Sequence, residues 1–322
     1  MTKAPVILNE VKNLRPLNSE ILRSAQDDKG KGPRMTKEKA QDDNKKAPPY
    51  IIDPAMLTLL LIYILVGSAA GMLAGLFGIG GGLVIVPMLD LCFTRSSFTH
   101  EHIMHLALGT SMASIIFTSV SSLRAHHERG AVNWTVVRRI TPGIIAGTLL
   151  GSFIAARMST GSLKGFFALF LYYVALQMIL DRKPEPSREF PGPAGMFSAG
   201  SVIGAISSLA GIGGGTMSVP FMVWCNLAIH HAVGTSAAIG FPIAVAGTAG
   251  YIINGLNASG LPDHAFGYIY LPALFGIVLA SVLTAPIGAR LAHSLPVPRL
   301  KRYFAILLLV VGTRMLLTLI SS

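Results

Sequence analysis

The chain has 322 residues, of which 52% are hydrophobic and 13% charged, with a formal net charge of +11. Soluble globular chains carry about 25% charged residues, and here residues 1–50 alone hold 11 of the 26 Lys and Arg and 7 of the 15 Asp and Glu. What remains cannot cover a water-compatible surface, which argues against a large soluble enzyme. The basic residues cap apolar runs instead of clustering with aromatics on one face, so the charge does not point to nucleic acid. Cys92 and Cys225 both lie in apolar context and form neither a disulfide framework nor a CxxC metal site.

Residues 1–50 read as a disordered, charged tail. They are self-similar, with "MTK" at Met1 and Met35 and "AQDD" at Ala25 and Ala40. They lack the apolar core of a signal peptide, and the natural start is expected at Met35 or later.

A membrane span needs about 20 apolar residues. In chain order the candidates are Leu57 to Phe77, a short Leu83 to Phe93, His105 to Leu123, Val136 to Ala156 and Leu163 to Leu180. A polar linker with four prolines follows between Asp181 and Pro193. Then come Ala194 to Leu209, a short Met217 to Leu227, Ala232 to Ile253, Tyr268 to Ala289 and Tyr303 to Ile320. The expected fold is all-α and polytopic, with 8–10 membrane segments. Its expected divisions are membrane repeat 1 at 51–182, linker 183–192 and membrane repeat 2 at 193–322.

The two halves repeat one another. "GLFGIGGGLVIVP" from Gly75 aligns with "SLAGIGGGTMSVP" from Ser208 at an offset of 133. "ALGTSMA" aligns with "AVGTSAA" at 125, and "LKGFFALFL" with "LKRYFAILL" at 137. Three matches in one order and at nearly one spacing argue for a duplicated unit, and five segments per unit make the copies inverted. Paired glycine-interrupted segments at matching places are the sequence pointer to a transporter's binding site.

Each unpaired backbone group in hydrocarbon costs several kcal/mol, so a broken helix must face protein or a water-filled cavity. Glycine suits the break because it adopts positive φ freely. The helix that restarts offers free N–H groups at its positive dipole end, an anion site without formal charge. The expected donors are Gly78, Gly80, Gly81 and Gly82 in the first loop, and Gly211, Gly213, Gly214 and Gly215 in the second. Thr110, Ser111, Thr235 and Ser236, in the two "GTS" segments, would add hydroxyls. The competing use of those hydroxyls is to bond helix carbonyls. Pro87 and Pro220, each lacking an N–H, are expected to keep the restarted helices broken. Close packing alone explains Gly67, Gly71 and Gly75, spaced by four.

Asp90 is the acidic residue inside an apolar stretch, and its repeat partner is Val223. A proton-coupling role is weighed against a structural one, and the structural one is favoured. The paired cysteines are read as packing, and the HH pairs at His126 and His230 as interfacial. No nucleophile motif such as GxSxG appears. No catalytic residue, metal site or cofactor is expected. Basic loops favour the cytoplasmic side, which puts Arg124, Arg129, Arg138, Arg139 and Arg290 inside and the loop from Asn254 to Phe266 outside. Ten crossings place both termini outside; re-entrant short segments give eight spans.

These residues resemble the sulfite exporter TauE/SafE family of membrane permeases. The resemblance is carried by the two GIGGG segments, the two GTS segments, "RGAVNW" from Arg129 and "GYIYLPALFGIVLASVLTAPIGARLAHSLP" from Gly267. It covers about residues 57–320. Asn133 stands where such proteins often carry Asp. The resemblance implies a multi-pass plasma (inner) membrane permease with no enzyme activity. Its substrate would be a small anion such as sulfite, sulfoacetate or another organosulfonate, or an organic carboxylate. The expected partners are that anion, the lipid bilayer and a coupling ion, H⁺ or Na⁺. The alternative is a membrane-embedded accessory protein without transport of its own.

Overall fold

The computed structural model describes residues 54–77, 81–96, 98–180, 189–291 and 297–320. The expected tail at 1–50, most of the linker, and Gly78 and Gly80 lie outside these residues. Among the described residues ten α-helices follow one another: α1 (Pro54–Phe77), α2 (Gly82–Arg95), α3 (Ile103–His127), α4 (Trp134–Ala155), α5 (Thr160–Leu180), α6 (Pro193–Leu209), α7 (Gly215–Trp224), α8 (Ile229–Gly255), α9 (Leu271–Leu291) and α10 (Val297–Ile320). The described residues add a two-stranded hairpin, β1 (Ala265–Phe266) against β2 (Ile269–Tyr270).

Among the described residues, six helices are long and apolar enough to cross a bilayer: α1, α3, α5, α8, α9 and α10. Large apolar side chains face outward along them, including Leu65, Leu169, Phe275 and Val310, each more than 60% exposed. Such a belt suits hydrocarbon. The chain is thus an all-α, multi-pass membrane protein. Helices α3 and α8 are the most buried of the six, and they form the centre against which the broken helices pack.

The direction of each helix follows from its neighbours. Along α1, Leu60 and Tyr63 meet Gly276, Gly67 meets Ile277, Gly71 meets Ser281 and Met72 meets Gly288. Helices α1 and α9 therefore run parallel. Phe93, near the end of α2, makes an edge-on ring contact with Tyr270, just before α9. So α2 returns to the end from which α1 set out, and the pair is a helical hairpin. The second broken pair does the same against α4, with Gly200 on Ile140, Gly204 on Ile144 and Gly151 on Ala205. Helix α4 ends beside His105 and Tyr268, at the β-hairpin end, whereas α9 begins there. The two helical hairpins consequently enter from opposite ends. The start of α1 and the start of α3 lie at one end, which is the arrangement of a returning pair and not of a lone re-entrant α2.

Contacts between the halves come in reciprocal pairs. Tyr270 N donates to Thr110 Oγ1, and Asn133 N donates to Thr235 Oγ1, both at 2.9 Å. Gly109 lies against the Tyr268 carbonyl and Gly234 against that of Ala131. Each pair is carried onto the other by the offsets 125 and 137 read from the sequence. The small residues that permit this approach are the ones a membrane interface favours. Thr110→Val or Thr235→Val would strand a backbone N–H at a cost of about 1–3 kcal/mol. Each substitution is expected to lower the melting temperature in detergent, measured by tryptophan fluorescence, while Thr→Ser leaves it near wild type.

Candidate functional site

Helix α7 starts at Gly215, with Gly214 as its N-cap at φ 78°. Helix α2 starts at Gly82, with Gly81 as its N-cap at φ 74°. No side chain caps either helix. An L-residue at such φ is strained, and a Cβ on Gly214 would also strike Ile243 and lie 3.3 Å from Ser207 Oγ. In each helix the Gly N-cap carbonyl accepts the first bonds, from Val84 and Ile85 in one case and from Met217 and Ser218 in the other. Among the described residues, no backbone acceptor meets the N–H groups of Gly213, Gly214, Gly215 or Thr216. These are the orphan donors of a helix start, held inside the protein.

The start of α2 touches the loop that leads into α7. A Cβ on Gly82 would collide with the Gly211 carbonyl, which also accepts 2.7 Å from Ser111 Oγ. So Ser111 of one half stitches down the glycine loop of the other. Ser236 sits at the same loop: Ser218 Oγ donates to Ser236 Oγ at 2.9 Å, which leaves the Ser236 proton to give. Thr110 and Thr235 are placed differently. Both are fully buried, but their oxygens accept from Tyr270 N and Asn133 N, at the mouths of α9 and α4. Of the four GTS hydroxyls, the serines meet the second glycine loop and the threonines clamp the opposite half.

Pro87 and Pro220 lie inside α2 and α7, and both helices continue through them. Neither proline interrupts its helix. At the sixth helical position each proline only frees the carbonyl four residues earlier, Leu83 or Thr216. Asn133 caps α4, its Oδ1 accepting from Val136 N at 3.2 Å. Asn and Asp cap helices about equally well, so the departure at this position costs the fold nothing.

A small cavity of about 10 Å³, room for one water-sized body, opens beside the second loop. Gly213, Ser236 and Gly240 line one side, and Thr118, Ser119 and Ser122 of α3 line the other. Sequence reading missed the α3 hydroxyls. Their spacing from Ser111 through Ser114 and Thr118 to Ser122 marks one helical face and was available as a signal. Asp90, also buried, pairs through Oδ2 with Lys164 Nζ at 3.0 Å, and its Oδ1 has no partner. Among the described residues no group of three His, Cys, Asp or Glu could hold a metal ion.

A polytopic helical membrane protein with two glycine-broken hairpins meeting at its centre is the architecture of a transporter. The description "Sulfite exporter TauE/SafE" matches residues 63–315, and the chain belongs to this family. A "Probable membrane transporter protein" of Haemophilus influenzae is 38% identical over 263 residues, 81% of this chain and 100% of the relative. The "Probable membrane transporter protein YunE" of Bacillus subtilis is 29% identical, over 61% of this chain and 79% of the relative. A probable membrane transporter protein of Methanocaldococcus jannaschii is 26% identical, over 81% and 97%. No solved structure matches the chain. The family and these relatives make the chain a membrane transporter.

Proposed function

We propose that the protein is a secondary transporter of a small anion, sulfur-containing or carboxylate, in the plasma membrane. The observation that carries this reading is the pair of helix starts without side-chain caps, one behind Gly81 and one behind Gly214, with Gly82 of the first packed against Gly211 in the loop that leads to the second. A buried helix N-terminus favours an anion through both its free N–H groups and its dipole. In this reading Gly78 to Gly82 and Gly211 to Gly215 are the candidate sources of backbone donors. Ser111 and Ser236 add hydroxyls, and Thr110 and Thr235 hold the halves in register. The sequence offsets and the reciprocal contacts support a duplicated, inverted unit of 51–182 and 193–322. Basic residues at one end, Arg124, Arg138, Arg139 and Arg290 among them, favour that end as cytoplasmic.

The interleaving of the halves bears on the moving parts. Helix α1 packs along α9, and α4 along α6. The bodies that rock are then the α1–α9 and α4–α6 pairs, each drawn from both halves. An H⁺ or Na⁺ gradient would drive the cycle. The test is purified protein in liposomes, given radiolabelled sulfite, sulfoacetate, sulfate and a dicarboxylate, with and without imposed ion gradients. Saturable uptake of one of them is the expected result. Uptake of none, beside a protein that co-purifies with the chain, would make it an accessory subunit.

A further inference from the structure

The glycine loop occurs twice, but its surroundings do not. Around the second loop lie Ser207, Thr216 and Ser218, all buried. The corresponding residues of the first half, 133 earlier, are Ala74, Leu83 and Ile85. Ser207 Oγ and Thr216 Oγ1 have no hydrogen-bond partner. Neither does Ser122 Oγ, which lies across the cavity on α3 in a residue only 4% exposed. Buried polar groups are nearly always satisfied, and an exception calls for an explanation. Three exceptions around one loop, one of them lining a cavity, are explained together by a ligand that accepts hydrogen bonds.

The same asymmetry appears in the flanking helices. On α3 the face below Ser111 carries Ser114, Thr118 and Ser122, all buried. At the matching positions α8 carries Ile239, Ile243 and Gly247. The counterpart of the cavity on the β-hairpin side is filled, because Met112 packs against Gly247. On the Arg side the residue matching Met112 is Ala237, which lines the cavity and leaves it open. Nothing charged lines it, so a ligand there would be held by hydroxyls and backbone amides and released readily.

We propose that the second loop is the one that binds the anion, and that the α3 face of Thr118, Ser119 and Ser122 is the half-channel joining that site to the Arg-bearing side. The start of α2 is then a structural support, with Gly82 packed against the Gly211 carbonyl. This rests on the anion-transport reading and deepens it. The ligand class is a compact oxyanion that accepts from hydroxyls and amides; the space of about 10 Å³ between Gly213, Ser236 and Ser122 holds one water-sized body, so binding requires that this space widen.

The full-length protein carrying Ser122→Cys tests the half-channel without a transport assay. The probe is 2-sulfonatoethyl methanethiosulfonate, applied to membrane vesicles of both polarities. The reporter for the Arg-bearing face is Glu128→Cys, and the wild type with its two buried cysteines is the baseline. Labelling at least tenfold faster than wild type, from the face that labels Glu128→Cys only, and slowed by sulfoacetate, is the expected result. No labelling from either face would overturn the half-channel. In liposomes, Thr216→Val and Ser207→Ala are expected to raise the KM for sulfoacetate five- to tenfold, with the counterpart Leu83→Thr within twofold of wild type. Equal effects in both halves would overturn the assignment to the second loop. Ser122→Thr, which keeps the hydroxyl, should transport like wild type where Ser122→Ala does not; equal loss in both would mean packing. If Gly214→Val transports normally, the anion-site reading itself fails, whatever Ser122 shows.

Discussion

Gly214→Val is expected to abolish anion uptake in proteoliposomes while the protein still inserts and purifies as a monodisperse species. The backbone at Gly214 sits at φ 78°, where a β-branched residue is strained by about 1–3 kcal/mol. Its Cβ would also meet the end of the Ile243 side chain. The chain has one cheap escape, which is to move the helix start and turn the amides of Gly213 to Thr216 out of alignment. A site built from amide dipoles loses its ligand when those dipoles turn. Gly81→Val faces the same strain at φ 74°, with its Cβ 2.9 Å from the Ala70 carbonyl. If the first loop is a support, Gly81→Val lowers thermal stability as much as transport, whereas Gly214→Val acts mainly on transport. Normal uptake by the double variant would refute the site.

The second large effect concerns the Asp90–Lys164 pair, whose side chains are 8% and 13% exposed. Removing one partner of a buried ion pair leaves an uncompensated charge and typically costs about 3–5 kcal/mol. Lys164→Met should therefore lower the melting temperature in detergent strongly. Asp90→Asn should be milder, because the lysine can reach water along its flexible stem. The double variant Asp90→Asn with Lys164→Met should recover most of the loss, as buried pairs replaced together often do. A double variant as unstable as Lys164→Met would show that the pair is not what these residues contribute. The pair belongs to the first half alone, since Val223 stands where a second acid would be.

Much of this was legible in the sequence, because the membrane imposes simple rules. Ten apolar segments became ten helices, since backbone groups in hydrocarbon leave little alternative to helix. The glycine runs marked both breaks, since few other residues tolerate positive φ. What escaped were facts of partnership. Nothing in "GTS" says that the threonine accepts from the far half while the serine meets the glycine loop. Pro87 and Pro220 looked like breakers, yet each sits where a helix loses one bond and carries on. The α3 hydroxyls were overlooked because serine and threonine inside apolar helices usually satisfy themselves on their own carbonyls, as Ser114 and Ser119 do here. All three are buried, and Ser122 differs in that its hydroxyl has no partner.

The exchange of partners between halves has a consequence for biosynthesis. Helix α1 leaves the ribosome early, but α9, the neighbour that fills its row of glycines, is made about two hundred residues later. At about 5–20 residues per second, α1 waits ten seconds or more in the bilayer with its small-residue face turned to lipid. A nascent chain halted before α9 would hold an unmatched helix rather than a finished half, and membrane quality control would have that exposed glycine row to recognise.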